Sequence, residues 1–274
     1  MSMKVSLITV TYNSAKYVED CINSIIKQDY NNIEYIVVDG GSNDGTVDII
    51  KKFSPYIFKW ISEADGGMYD AINKGMKFAT GDVIGILNSD DVLASSDVIS
   101  EVVKCFEENK VDSLYGDLVY VEPYNLQKVL RFWKGMPYKR RRFKYGWMPA
   151  HPTFYIRREL VEKFGGYESH YFTAADFEFM ARYLYRYKIS AIYLPKLFVK
   201  MRSGGASNES ISGRIRANRR DYLAMKNNKI PFPFIVSILK PLIKMPQFYN
   251  ALYHKFSKRA AYYKTFKLSA FPNE

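Results

Sequence analysis

Four times before residue 110 the chain repeats one pattern: a short apolar run, a polar cluster, then apolar residues three and four apart. The runs at 5–10, 33–38, 58–61 and 83–87 read as strands, because apolar stretches of this length bounded by Gly, Asn, Asp and Ser are buried-strand signals. Segments 46–53, 68–79 and 96–108 read as helices. A further helix runs to about residue 28, with Asn13 or Ser14 placed to cap its start. Strands and helices in alternation build a mostly parallel sheet with helices on both faces. The expected fold class is therefore α/β, and ligands of such sheets bind beyond the carboxyl ends of the strands.

Those ends are acidic. The run at 83–87 stops at Asn88-Ser89-Asp90-Asp91, the second strand stops at Asp39, and Asp65 follows the third. A single Asp in a loop means little, since Asp favours turns and helix caps. Carboxylates at consecutive ends of one parallel sheet point instead to a ligand site. Adjacent carboxylates such as Asp90 and Asp91 repel unless a cation lies between them. Hard oxygen donors suit Mn²⁺ or Mg²⁺, ions usually shared with substrate phosphates. The loop from Asp39 to Gly45 carries three glycines but is not a GxGxxG fingerprint, so a dinucleotide fold is a weak reading.

Past residue 112 the pattern changes. Segments 113–120, 128–133, 153–156 and 191–194 look extended, while 158–164 and 174–187 look helical. Asp176 opens the second of these helices, where it could act as a general base or merely favour the helix dipole. His151, one of three histidines, is a ligand or a hydrogen-bonded structural residue. Segment 201–208 is rich in small residues and reads as a lid, with Lys200, Arg202 and the glycines closing over a diphosphate.

The net charge of +12 is concentrated at one end. From Arg214 onward there are 13 Lys/Arg against Asp221 and Glu274, while the first 213 residues are nearly neutral. With Phe248, Tyr249, Leu252, Tyr253 and Phe256 at helical spacing, the segment 211–274 reads as basic amphipathic helices. These suit an anionic membrane surface, and equally a homodimer interface or the enzyme body. Cys21 and Cys105 show no metal-binding spacing, and no secretory signal or spanning run is visible. The expected setting is cytoplasmic, peripheral on the inner face of the cell membrane.

Six segments together resemble family 2 glycosyltransferases: VSLITVTYN at 5–13, VDGGSNDGT at 38–46, DGGMYDAINKG at 65–75, LNSDD at 87–91, HPTFYIRR at 151–158 and ADFEFMAR at 175–182. The resemblance implies a GT-A fold, a Rossmann-like nucleotide-sugar-binding sheet with flanking helices, over residues 1–210. It divides into a nucleotide-binding half at 1–110 and an acceptor-side half at 111–210, with the basic extension at 211–274 beyond it. It further implies an inverting, metal-dependent, single-displacement transfer from a nucleotide-diphosphate sugar, with a UDP-sugar as first choice. The acceptor would be a hydroxyl of a glycan or lipid-linked saccharide, in polysaccharide, O-antigen or capsule assembly. Thr9, Tyr12, Asn13, Asp39, Asp65, Asn73, Asn88 and Asp90 would face the nucleotide. Asp90 and Asp91 would hold the Mn²⁺ or Mg²⁺ ion, His151 would lie on the acceptor side, and Asp176 would be the base. Two positions depart from the pattern: Asn88 stands where the metal motif usually begins with Asp, and Ile72 stands where many relatives carry a nucleotide-contacting Arg.

Two other classes fit less well. A nucleotidyltransferase would want a glycine-rich basic loop after the first strand, and Thr11-Tyr12-Asn13-Ser14 has neither feature. An RNA-binding protein would interleave basic and aromatic residues over one sheet face, whereas here the basic excess is terminal and no nucleic-acid partner is expected.

Overall fold

A computed structural model describes residues 2–204, 211–234 and 236 of the chain. Four strands, β1 (Val5–Thr11), β2 (Ile33–Asp39), β3 (Lys59–Ser62) and β4 (Val83–Ile86), pair in parallel in the order β3-β2-β1-β4. Between and after them run α1 (Val18–Ile26), α2 (Thr46–Lys52), α3 (Met68–Phe78) and α4 (Val98–Asn109). Side chains alternate across a strand, and this sorts the helices to two faces. Ile8, Val10, Ile36 and Val38 pack with Ala71, Ile72 and Met76 of α3. Val5, Leu7, Tyr35 and Val37 pack with Cys21, Ile22, Ile50 and Val102 from α1, α2 and α4. Register aligns Thr11 with Asp39 and Asp39 with Ser62, so three polar side chains lie in one row at the sheet's carboxyl edge.

The second half extends the same sheet in mixed fashion. After the two-residue β5 (Val92–Leu93), β6 (Ser113–Glu122) and β7 (Asn125–Trp133) form a hairpin. β8 (Tyr155–Arg157) joins β4 to β6 antiparallel to both, and β9 (Ala191–Arg202) runs parallel to β6 and antiparallel to β5. α5 (Arg158–Phe164) leads to α6 (Ala175–Met180), which widens into a π-helical turn at Ala181–Arg186. α7 (Ile211–Asn227) brings Ala224 and Met225 into the core that holds Phe177, Phe179 and Met180 of α6. Among the described residues no helix is long and apolar enough to cross a membrane.

Three local expectations are corrected. α1 begins at Val18, not at residue 13 or 14, and no side chain caps it. The Ser14 carbonyl takes the Val18 N–H, while the Ser14 hydroxyl turns to Ser89 at 2.8 Å. The strand expected at 191–194 continues through Arg202, so Lys200 and Arg202 stand in a strand rather than a loop. β5 went unforeseen because two residues carry no periodicity. Segment 205–208 of the expected lid and the tail beyond residue 236 lie outside the described residues.

Candidate active site

The row at the carboxyl edge is organised by Asp39. Its carboxylate accepts from the hydroxyls of Thr11 at 2.6 Å, Ser62 at 2.7 Å and Ser42, and from the N–H groups of Gly41 and Ser42. Burial alone would raise its pKa, and these hydrogen bonds more than reverse that, holding it below the ordinary value. Asp39 is fully buried, and its five hydrogen bonds tie three strand ends together. Thr9, also fully buried, meets Cys21 Sγ beneath α1.

Around this row the exposed groups are Tyr12, 67 % accessible, and Asn13. Asn13 sits at φ 48°, its N–H on Ser42 Oγ and its Oδ1 on the Asn43 N–H, which joins the β1 and β2 loops. Asp65 reaches over Gly40. A Cβ on Gly40 would lie 2.8 Å from Asp65 Oδ2, so a larger residue there would push the carboxylate aside. Asn73 is turned away: its amide exchanges two hydrogen bonds with the Tyr167 backbone, at 2.8 and 2.7 Å, and links α3 to the loop before α6.

The β4–β5 loop presents Asn88, Asp90 and Asp91. Asp91 is fully buried, taking Asn88 Nδ2 on one oxygen at 3.0 Å and the Arg202 N–H on the other at 3.2 Å. Burial pushes its pKa well up, and the neighbouring Asp90 charge adds to that. Asp90 is raised by burial too, against an opposing pull from Arg202. Asn88 Oδ1 is buried with no hydrogen-bond partner. Two acids held above their ordinary range beside an unsatisfied carbonyl oxygen form a set of hard donors short of one positive charge, which a divalent cation fits. Among the described residues no group of three His, Cys, Asp or Glu could hold a metal unaided, and an ion here would take its remaining ligands from substrate and water.

Arg202 is a fixed clamp, not a lid residue. Its guanidinium donates to the Asp90 carbonyl at 2.6 Å and the Pro123 carbonyl at 3.0 Å, pairs with Asp20 of α1, and lies 4.7 Å from the Tyr17 ring centroid. Lys200 is equally buried, and burial lowers its pKa. On the α1 side Arg202 also borders a cavity of about 330 Å³, with Lys16, Tyr17, Asp20 and the β6–β7 turn. Neither Asp90 nor Asp176 lines it.

Across the cleft, Asp176 sits in the first turn of α6 with one oxygen on the Phe177 N–H at 2.6 Å. Tyr69 of α3 stacks on Tyr167 at 5.4 Å, and Tyr167 donates to or accepts from His151 Nε2 at 2.6 Å. The Asp176 charge reaches all three of these groups. His151 is buried and its pKa is lowered by that burial, with Asp176 pulling the other way. It is a hydrogen-bonded group packed edge-on against the Tyr167 ring. Tyr120 of β6 joins the two halves. Burial raises its hydroxyl pKa first, Arg131 opposes, and both Asp91 and Asp176 push it further up. Tyr120 and Tyr167 carried no sequence signal, being two of 23 tyrosines outside any motif, and Tyr69, although inside the 65–75 segment, was not singled out there.

Comparison with known proteins matches residues 6–165 to the model for glycosyl transferase family 2. An uncharacterized glycosyltransferase of Mycobacterium tuberculosis is 33 % identical over 184 residues, covering 65 % of this chain and 68 % of that one. S. aureus TarS residues 1–349, solved in complex with UDP, superposes with a TM-score of 0.62 at 22 % identity, covering 82 % of this chain and 66 % of that one. Against a longer TarS structure the chain spans 39 % of the length. The mannosyltransferase PcManGT of Pyrobaculum calidifontis, solved with GDP-Man and Mn²⁺, gives 0.61 at 20 % identity, covering 98 % of this chain and 80 % of that one.

Proposed function

The chain belongs to glycosyl transferase family 2, and from that premise we propose that it moves a sugar from a nucleotide-diphosphate sugar, a UDP-sugar first, to a hydroxyl of a glycan or lipid-linked saccharide. The observation that carries this reading is the loop after β4, where the carboxylates of Asp90 and the buried Asp91 gather with the unpartnered Asn88 Oδ1 beyond the end of the parallel sheet. Tyr12 and Asp65 border the nucleotide end of that cleft. Asp90, Asp91 and Asn88 Oδ1 would hold Mn²⁺ or Mg²⁺, which when bound supplies positive charge to the departing nucleoside diphosphate. Arg202, by fixing the Asp90 carbonyl and the Asp91 carboxylate, keeps those donors in place before substrate arrives.

On the other side, Asp176 accepts the proton of the acceptor hydroxyl as its oxygen attacks the anomeric carbon. The new glycosidic bond forms as the bond to the diphosphate breaks, in one displacement with inversion and no covalent sugar–enzyme intermediate. The stacked Tyr69 and Tyr167 and the buried His151 wall off the region around Asp176, excluding water that would compete with the acceptor. Acceptor chemistry of the surface-polysaccharide kind, at a membrane, suits the basic terminus.

Thermal-shift measurement with UDP, GDP, CDP and dTDP, each with and without Mn²⁺, tests the donor assignment, since a ligand of the native state raises the melting temperature. One nucleotide, UDP first, is expected to raise Tm, more so with Mn²⁺. Transfer that continues undiminished in EDTA would remove the cation from the reading. Absence of any nucleotide response, with and without Mn²⁺, would remove the donor class.

A further inference from the structure

Beyond α7 the described chain makes one exposed aromatic step. Ile230 and Val236 are both 2 % exposed and root the segment in the body. Between them Phe232, at φ 55°, is 73 % exposed and Phe234 is 66 % exposed, each preceded by a proline. Scattered single apolar side chains on a surface need no explanation. Two phenyl rings two residues apart, held by a Pro-fixed backbone and by the Val236 N–H on the Phe232 carbonyl, form a defined protrusion instead. The chain that follows, residues 237–274, carries seven Lys/Arg against the single acid Glu274.

The root of this step is tied to the candidate base. Asn228 Nδ2 donates to Glu178 Oε1 at 3.1 Å, and Asn227 Nδ2 donates to the Tyr171 hydroxyl. Glu178 is two residues from Asp176 and is paired with buried Arg182, which in turn donates to the carbonyls of Phe164, Gly165 and Gly166. The protrusion is thus mounted on the same helix that carries Asp176.

We propose that the step from Pro231 to Phe234 is the protein's contact with an anionic lipid bilayer, fixed to α6 so that the Asp176 side of the cleft is held at the surface where a lipid-linked acceptor would lie. The occupant is argued from charge and position. Aromatic side chains enter the boundary between headgroups and acyl chains, and clustered cations bind anionic headgroups in a salt-dependent way. Exposed phenyl rings running directly into a cationic stretch of sequence supply both components of such binding. The placement of the acceptor rests on the glycosyltransferase reading, whereas the bilayer contact does not.

The test is co-sedimentation of the full chain with vesicles of phosphatidylcholine alone, and of phosphatidylcholine with about one-third phosphatidylglycerol. The unaltered protein is expected to pellet with the anionic vesicles. The double variant Phe232→Ala, Phe234→Ala is expected to partition about tenfold less or weaker still, given the apolar area removed. Tyr56→Ala removes another exposed aromatic, one that follows α2 on the opposite face of the sheet, and is expected to partition normally. Because the double variant could lose stability, Phe232→Trp provides a second reading: the indole emission of that variant should shift to the blue on adding anionic vesicles. Equal pelleting of the double variant, an unmoved emission from pelleted Phe232→Trp protein, or failure of the unaltered chain to pellet would each overturn the proposal. So would a dimer that the double variant converts to monomer without any vesicle binding, because a second copy would then cover the step. None of these results involves donor or acceptor, so they leave the glycosyl-transfer reading to its own test.

Discussion

Asp39 sits saturated at the sheet edge, whereas Asp176, in the first turn of α6, is the base we propose. Asp39 accepts five hydrogen bonds in a fully buried position. Replacing it by Asn is expected to cost about 1–3 kcal/mol, because buried donors lose their charged acceptor. The sign with pH follows from its depressed pKa. Its stabilisation is fully present above the ordinary Asp value of about 3.9 and disappears as pH falls through the lower folded value. Urea denaturation should therefore separate Asp39→Asn from the parent at neutral pH and bring them together in acid. Asp176→Asn is expected to behave in the opposite manner. Tm and the nucleotide-induced shift should stay near those of the parent, while sugar transfer falls by about 10² or more if the proposed base is lost. A variant that kept full transfer would hand the role to another group. Both acids were legible in the sequence as candidates, because strand ends and helix starts are where chemistry collects. The hydrogen bonds that saturate Asp39 were not legible. Burial of Thr9 and saturation of Asp39 arise from cross-strand register, and Asn73 is bound by a backbone 94 residues away. No local pattern encodes such partners.

At the scale of elements, α3 lies against β1 through one glycine. A methyl on Gly75 would lie 2.5 Å from Ile8 Cγ2. In an isolated helix Gly→Ala is favourable by about 0.5–1 kcal/mol, whereas overpacking a close contact costs about 1–3 kcal/mol. The contact should win, since Ile8 is itself fully buried against its neighbours. Gly75→Ala is thus expected to lower stability in thermal or chemical denaturation, and to cost less in an Ile8→Ala background, where the Cγ2 methyl it meets is gone. A stabilised single variant would mean that α3 can shift outward. The first four strands and their helices were readable because each is a local period with a turn at its end. The elements read poorly were those whose existence depends on distant partners. β5 has two residues, and β9 continues through Arg202 because its later residues pair with β6 and β5. The small residues after it mimic a loop that begins too early, and Arg202 owes its rigidity to carbonyls and a carboxylate on three other segments.

Over the whole molecule, charge and packing divide the chain at different places. Basic residues dominate from Arg214, yet Ala224, Met225, Ile230 and Val236 are at most 2 % exposed and lie in the core cluster of Phe177, Phe179 and Tyr171. Asn228 adds a hydrogen bond to Glu178, which is also paired with Arg182. A chain ending at residue 210 would leave that apolar surface in water and withdraw one partner from a buried carboxylate. Burying each larger apolar side chain is worth about 1.5–3 kcal/mol, and the total stability of a domain is about 5–15 kcal/mol. Removing α7 and its following turn therefore consumes much of the margin, whereas ending at residue 236 keeps all of these contacts. The 1–236 form is expected to melt cooperatively within a few degrees of the full chain, and the 1–210 form to melt far lower or to aggregate. Calorimetry of the three lengths decides it. A cooperative transition of 1–210 at the full-chain temperature would mean that α7 rests on the body without supporting it, and the coupling from the aromatic step to α6 would then fail with it.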